Sequence, residues 1–152
     1  MTREEILKQY EPSSGNLLSI LHDLQDSKEE HYLNEEDLKA AADYLNISYS
    51  MVHGVATFYT MYSLKPRGKK IVRVCQSAPC HLMGSTDISK ELMKLLGIKF
   101  GETTPCKTFT LEMTSCLGVC GVAPAMMVDD RVYGNLTLER LKEIIEDERR
   151  AK

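Results

Sequence analysis

The chain has 152 residues, 43% of them apolar and 27% charged, the balance of an ordinary soluble globular protein built as one domain or two small ones. A formal net charge of −3 argues against a general nucleic-acid binder. The longest stretch without Asp, Glu, Lys or Arg, Tyr44 to Leu64, is interrupted throughout by Asn46, Ser48, Ser50, His53, Thr57, Thr60 and Ser63, so no membrane insertion is expected.

The N-terminus, Met1-Thr-Arg-Glu-Glu-Ile6, lacks both the apolar core of a signal peptide and the acid-poor character of an organelle transit peptide, so a cytoplasmic location is expected. From there to about residue 64 the pattern is helical, with no strand alternation. Asn16 is placed to cap a helix whose apolar stripe is Leu17, Leu18, Ile20, Leu21 and Leu24. Asn34 is placed to cap a second, with Glu35, Glu36 and Asp37 in the first turn, where the helix dipole favours negative charge, and Leu38, Ala41, Ala42 and Leu45 inward. Ser48 can cap a third, with Val52, Val55, Ala56 and Tyr59 inward. Three short amphipathic helices make a small bundle.

The second and third helices, joined at Leu45-Asn-Ile-Ser48, have the outline of a helix-turn-helix. That raises one functional alternative: a DNA-binding regulator whose cysteines form a four-cysteine metal or redox sensor. Charge decides against it. Residues 1–64 hold four Lys/Arg against eleven Asp/Glu, and Tyr49 to Tyr59, the segment that would lie in the groove, has no Lys or Arg to neutralise phosphate. Tyr49, Met51, Phe58, Tyr59, Met61 and Tyr62 instead form an aromatic and methionine group of the kind enriched at protein interfaces, half or more of it expected in the core.

Lys65-Pro-Arg-Gly-Lys-Lys70 breaks the helical pattern. It reads as a solvated linker, or as a basic contact for an acidic partner, and divides the chain into residues 1–66 and 67–152. Beyond it, Ile71-Val-Arg-Val74 is a short β-prone run. Thr86 can cap a helix with Ile88, Leu92, Leu95 and Leu96 on one face, stopped by Gly97. Phe109 to Thr114 alternates as a half-buried strand. Ala125 to Val128 and Arg131 to Tyr133 flank a tight hairpin at Asp129-Asp130. Thr137 can cap a last helix with Leu138, Leu141, Ile144 and Ile145 inward, and Glu146 to Lys152 is expected to fray. The fold class is α+β: a small helical bundle followed by a thin sheet covered by helices on one face or both.

The chemistry lies in two cysteine pairs. Cys75 and Cys80 have four residues between them; after 35 intervening residues, Cys116 and Cys120 have three. Buried structural cysteines are one reading, but pairing at both places would then be coincidence. Disulfides are a second, disfavoured by the expected compartment. Zinc accepts paired ligands at these spacings, so spacing alone favours a two-iron cluster only slightly. The surroundings favour the cluster further: Leu117-Gly-Val119 and Gly121-Val-Ala-Pro124 carry no charge, and glycine lets backbone N–H groups approach a buried anion. His81 is an obvious further ligand type, but a Rieske centre needs two histidines and none lies near the second pair, so it is read as lying beside the site or at the surface. Cys106 has no neighbouring cysteine to make a third pair and is expected to be a spectator. No glycine-rich phosphate loop follows a strand, so no nucleotide site is expected, and the chain should not itself catalyse.

Gly54-Val-Ala-Thr-Phe-Tyr59, Val74-Cys75 to Cys80-His81, Gly101-Glu-Thr-Thr104, Phe109-Thr-Leu-Glu112, Cys116-Leu-Gly-Val-Cys120-Gly-Val-Ala-Pro124 and Tyr133-Gly134 occur in one order. In these the chain resembles the small [2Fe–2S] subunit of NADH dehydrogenase (complex I) and of related NAD(P)-linked hydrogenases, electron-bifurcating complexes and formate dehydrogenases. The resemblance runs from about Leu17 to the last helix. It departs at Ser77-Ala-Pro79, where many members have Gly-Thr-Ala, and at Cys106, where a polar turn residue is usual. It implies a thioredoxin-like domain over 67–152, with the cluster near the surface at one edge, and a helical docking domain over 1–66. The ligands it implies for the [2Fe–2S] cluster are Cys75, Cys80, Cys116 and Cys120. It also implies a partner flavoprotein carrying FMN and NAD(P), with further iron–sulfur subunits, and single-electron exchange with that flavin. Two ferric ions, two sulfides and four thiolates leave a net −2, which becomes −3 on reduction. Adding charge to a low-dielectric site is costly, so the potential should be low, near the roughly −400 mV of plant-type centres.

Overall fold

The structure, a computed structural model, describes residues 1–151. The chain forms two compact units, Met1–Arg67 and Gly68–Lys152. No helix among the described residues is long and apolar enough to cross a membrane.

The first unit contains α1 (Arg3–Leu7), α2 (Leu17–Asp26), α3 (Glu35–Leu45) and α4 (Tyr49–Phe58) around one apolar core. α1 has no long apolar stripe to announce it. It is held by a capping box, in which Glu5 N–H donates to Thr2 Oγ1 and Thr2 N–H to the Glu5 carboxylate, and by the burial of Ile6 and Leu7. Asn34 caps α3 as its sequence indicates, and Asn46 ends that helix in the left-handed conformation with φ 51°. Asn16 precedes α2 but makes no cap bond; its side-chain amide donates to Glu11 O instead. The stripe of α2 is narrower than expected, because Leu18 is exposed.

Asp37 ties three segments of this unit. It is 1% exposed, accepts from the Asn34 N–H at 2.9 Å and from Arg3 Nε at 2.9 Å, and pairs with Lys28. Its carboxylate answers every donor that surrounds it, the condition under which a buried charge is tolerated.

The interface-type group on α4 and the residues just after it lies further outside than its sequence suggests. Tyr62 is buried and Met61 half-buried, but Tyr49, Met51, Phe58 and Tyr59 are exposed, Phe58 at 77%. Val52 and Ala56 alone in α4 reach the core fully, since four short helices leave room for a narrow stripe.

The second unit contains β1 (Lys70–Cys75), α5 (Ala78–Leu82), α6 (Ser85–Leu96), β2 (Phe109–Thr114), β3 (Met126–Val128), β4 (Arg131–Tyr133) and α7 (Leu138–Arg150). The sheet order is β2-β1-β3-β4, with β1 parallel to β2 and the other pairs antiparallel. Alternation along the strands sends Val72, Val74, Leu111, Met126 and Val128 into one core with Ile88, Leu92 and Leu96 of α6 and Leu141, Ile144 and Ile145 of α7. The opposite face carries the Arg73–Glu112 ion pair at 3.2 Å. Asp129, with φ 50°, turns the β3–β4 hairpin, and its carboxylate accepts from the Ile71 N–H at 2.8 Å.

The structure corrects further expectations, and Leu138, read as inward in the last helix, is exposed. The basic stretch at 65–70 is not a solvated linker: Arg67 is 5% exposed, with Nε donating to His31 O and its N–H to Glu30 O, while Lys70 opens β1 and pairs with Glu148 at 2.5 Å. Gly84, not Thr86, precedes α6, with φ 95° that a glycine tolerates. The last helix does not fray at Glu146: it runs to Arg150, because Glu148 is buried against Lys70 and the Tyr133 hydroxyl. Lys152 lies outside the described residues.

The Asp37 arrangement predicts that Asp37→Ala destabilises the chain by about 3 kcal/mol, the cost of stripping one partner from a buried charge network. Lys39→Ala, which removes an exposed pair with Glu35, should cost under about 1 kcal/mol. Urea unfolding followed by circular dichroism measures both.

Candidate metal centre

Parallel pairing decides where the cysteines meet. Cys75 is the last residue of β1, and its register partner is Thr114, the last residue of β2. Because the two strands run the same way, the loops that follow them leave the sheet at the same end. Two residues beyond Thr114 the chain reaches Cys116. After Cys120, a 3₁₀ turn over Cys120–Val122 leads back towards antiparallel β3, and the Cys75 N–H donates to Ala125 O at 3.3 Å. Three passes of chain converge at that end.

Cys80 arrives by a different route. Ser77 is extended and precedes α5, where Pro79 sits in the first turn and its missing N–H costs nothing. Cys80 is therefore carried on a short helix, not on a loop. Cys75 and Cys80 are each 2% exposed and share an apolar pocket with Ala123 and Ala125, against which Leu117 and Val119 pack. Cys116 and Cys120 lie with their sulfurs 3.6 Å apart and are exposed. The apolar wrapping thus encloses one pair, and the other faces solvent. All five cysteines are free.

Backbone donors are aimed at these sulfurs. Gly118 has φ 79°, a conformation other residues adopt at a cost, and its N–H donates to Cys116 Sγ at 3.3 Å. Burial pushes the Cys75 thiol up, but hydrogen bonds from the Ser77 and Leu117 backbones and from Cys80 outweigh it and bring the net below the ordinary value. The Cys80 thiol is raised, by burial first and then by its contact with Cys75, although the Ala125 backbone pulls the other way. The Cys120 thiol is raised chiefly by the hydrogen bond and charge of Cys116 beside it. Within each pair one sulfur opposes ionisation of the other, a repulsion that a cation between them would remove.

The remaining candidates lie elsewhere. His81 is exposed and its Nδ1 lies 3.2 Å from Thr86 Oγ1. Cys106 is exposed on the turn before β2, with Thr104 Oγ1 at 3.4 Å and Thr108 Oγ1 at 3.2 Å. Hydrogen bonding to those two hydroxyls draws its thiol down to about 7. Among the described residues no three His, Cys, Asp or Glu side chains gather round a single ion-sized point. The sulfurs are grouped as pairs.

Residues 3–149 match the family model of the thioredoxin-like [2Fe-2S] ferredoxins. The protein belongs to that family. Curated relatives include an NADH-quinone oxidoreductase subunit of Rickettsia felis, 39% identical over 95% of this chain and 87% of the relative, and its counterpart in Rickettsia conorii, 40% identical over 94% and 86%. The fold is also that of part of an NAD+-reducing [NiFe]-hydrogenase in its H2-reduced state, at TM-score 0.81 and 19% identity, covering 93% of this chain and 23% of the hydrogenase chain. The family's group is a [2Fe–2S] cluster. The chemistry of the donor set fits it: four thiols in two pairs, with backbone N–H groups directed at them.

One contributor lacks any side-chain signal. A Cβ on Gly134 would stand 2.4 Å from Val122 Cγ2 and 2.8 Å from Val122 O, so β4 can lie against the turn that carries Cys120 only because position 134 is glycine. The Asn135 N–H donates to that same Val122 carbonyl at 2.6 Å. Gly134→Ala should therefore displace the Cys120–Val122 turn, at a cost of roughly 1–3 kcal/mol, and lower the iron retained per chain. A thermal melt with iron analysis checks both, and Gly121→Ala, with no atom within 4 Å of its Cβ, is the control.

Proposed function

We propose that Cys75 and Cys80 hold one iron of the cluster and Cys116 and Cys120 the other, and that the chain is the electron-transfer subunit of an NAD(P)H-linked flavoprotein complex. The observation that carries the ligand assignment is the pairing. A structural zinc ion wants four sulfurs round one point, whereas two irons want two pairs side by side, a reading supported by the adjacent ends of β1 and β2 and by the 3.6 Å between the Cys116 and Cys120 sulfurs. The bound cluster supplies one-electron redox chemistry. Around it, Gly118 N–H and the Ser77, Leu117 and Ala125 backbones stabilise sulfur charge, and the Ala123–Ala125 pocket keeps water from the inner pair.

The relatives named as subunits of NADH-quinone oxidoreductase support placing this chain beside a flavoprotein that binds FMN and NAD(P)H, with further iron–sulfur subunits. The chain would exchange single electrons with that flavin and not catalyse alone, in a cytoplasmic complex. Two surfaces suit the docking. Leu82, Met83, Met113 and Val122 are exposed near the cysteines, and Phe58, Met51 and Tyr49 are exposed on the helical unit; large exposed apolar groups of this kind mark interaction sites.

The purified chain should contain iron and acid-labile sulfide in equal amounts, at one [2Fe–2S] cluster per chain, and give a spin-half EPR signal after dithionite reduction. Stoichiometric zinc without sulfide overturns the assignment. Cys106→Ser should leave iron content unchanged, whereas Cys116→Ser should lose most of it; equal loss in the two variants would mean that the ligand set is wrong.

A chain of residues 65–152 should keep the EPR signal but bind the flavoprotein more weakly than the full chain in a pull-down. Equal binding removes the docking role of the helical unit. NADH oxidation by the full chain alone removes the larger reading.

A further inference from the structure

A groove of about 500 Å³ runs along the second half of α6 and over the turn that follows it. No cysteine lines it, nor any of the exposed apolar groups assigned above to docking. α6 gives Ile88, Leu92 and Leu96 to the core. Lys90, Met93, Lys94 and Gly97 follow one another at helical spacing along a neighbouring face, and the chain returns past them as Ile98, Lys99 and Glu102.

The floor of this groove is apolar. Ile98 is 7% exposed and Met93 is half-buried. Position 97 has no side chain, and a Cβ there would meet no atom within 4 Å, so the groove is open at that point. No hydroxyl and no side-chain amide lines it, which leaves a sugar or a nucleobase without the polar groups that would orient it.

The rim is basic, with three lysines against one glutamate. Lys90 and Lys94 have ion-pair contacts with Asp87 and Glu91, but both are at 3.8 Å and the lysine side chains are 63% and 76% exposed. Pairs of that kind hold a lysine weakly. Glu91 lies nearer to Lys142, at 3.3 Å. Lys99 makes no ion pair among the described residues. Glu102, the one acid, has a carboxylate oxygen engaged by the Lys99 N–H at 2.8 Å. An apolar floor between ammonium groups on the helix and on the returning segment complements an apolar side chain flanked by carboxylates.

We propose that this groove takes a short extended segment of a neighbouring subunit, with one apolar side chain set between two carboxylates. The spacing fits. Lys90 and Lys94 are separated by about 6 Å along the helix axis. In an extended chain the residues on either side of a given one are about 6.6 Å apart, and their side chains point away from its own. The central side chain therefore seats on Met93 and Ile98 while its two neighbours reach the rim. That a neighbouring subunit supplies the segment rests on the complex proposed above; the recognition of such a segment does not.

The probe is a short acetylated peptide with leucine between two aspartates and serine elsewhere. NMR titration of the isotopically labelled full-length protein should give saturable shifts at the amides of Met93, Gly97 and Lys99. Lys94→Glu and Lys99→Glu should each weaken binding about tenfold, since charge reversal replaces an attraction by a repulsion. Iron content and the EPR signal should not change, and Lys94→Arg should keep the affinity. Three results overturn the groove: no saturable shift, binding that survives the two reversals combined, or equal binding of a peptide with serine in place of the leucine, which would leave only a charged surface. In the complex, the double variant should co-purify with the flavoprotein and its iron–sulfur partners less well than the parent chain. Unchanged co-purification with peptide binding intact overturns the neighbouring subunit as the source, and so does self-association of the chain that the two reversals abolish. A parent chain that captures no flavoprotein fails the complex reading before any substitution is made and leaves the peptide result standing.

Discussion

The parallel pairing of β1 with β2 is the constraint on which the second unit depends. Parallel neighbours cannot be joined by a hairpin, so the chain between them must travel the length of the sheet and return. Residues 76–108 do so through α5 and α6, and α6 then covers the face that the strands leave apolar. The same pairing puts the end of β1 and the end of β2 side by side. A slip of one residue would turn Val72 and Val74 out of the core and Cys75 away from its pocket. The burial that stabilises the sheet and the register that collects the sulfurs are therefore one condition. Glu148 closes the unit from the far end of the chain: buried, and held below the usual carboxylate range by Lys70 and Tyr133 in spite of the upward push of burial, it fastens α7 to the first residue of β1 and the last of β4.

The site is asymmetric, and the asymmetry follows from topology. Cys75 ends an inner strand and Cys80 lies on a helix folded back over it, so both are walled in by Ala123 and Ala125. Cys116 and Cys120 follow an edge strand and occupy the outer loop. The inner pair has a low-dielectric setting in which charge must be met by backbone donors. The outer pair has solvent, or a partner. A carrier of single electrons needs both: enclosure enough to set the potential, and one side open enough for another protein to come close.

Much of this was legible because it is local. Asn34 and Thr137 cap their helices, Gly97 ends α6 with φ 68°, and Asp129-Asp130 turns the hairpin, each from a preference that a few adjacent residues satisfy. The cysteine pairs and their uncharged surroundings likewise announced a metal site. What escaped depends on distant partners. Nothing near Lys70 reveals that Glu148 will neutralise it, and nothing near Arg67 reveals the carbonyls of Glu30 and His31. The even split between buried and exposed sulfurs follows from strand order, and strand order is not a local property. The role of Gly134 is a close approach to Val122, which a lone glycine before Asn135 does not disclose.

The helical unit poses a different physical problem. It holds eleven Asp/Glu against four Lys/Arg within residues 1–64, yet the exposed residues of α4 include none of these: Tyr49, Met51 and Phe58 stand out in a segment without Asp, Glu, Lys or Arg for 21 residues. Exposed aromatic and methionine side chains are energetically costly to leave in water and add little to the stability of this small bundle, whose core is complete without them. In the docking role proposed for this unit, the two features would divide the work of recognition. Charge acts at range and sets the rate and orientation of encounter, but is screened within about 10 Å at moderate salt. Apolar burial acts only on contact and supplies the affinity. A unit that is acidic in balance and has an uncharged, aromatic helix face is suited to a partner surface that is basic and has an apolar centre. A nucleic acid offers the opposite pattern, and both features work against it.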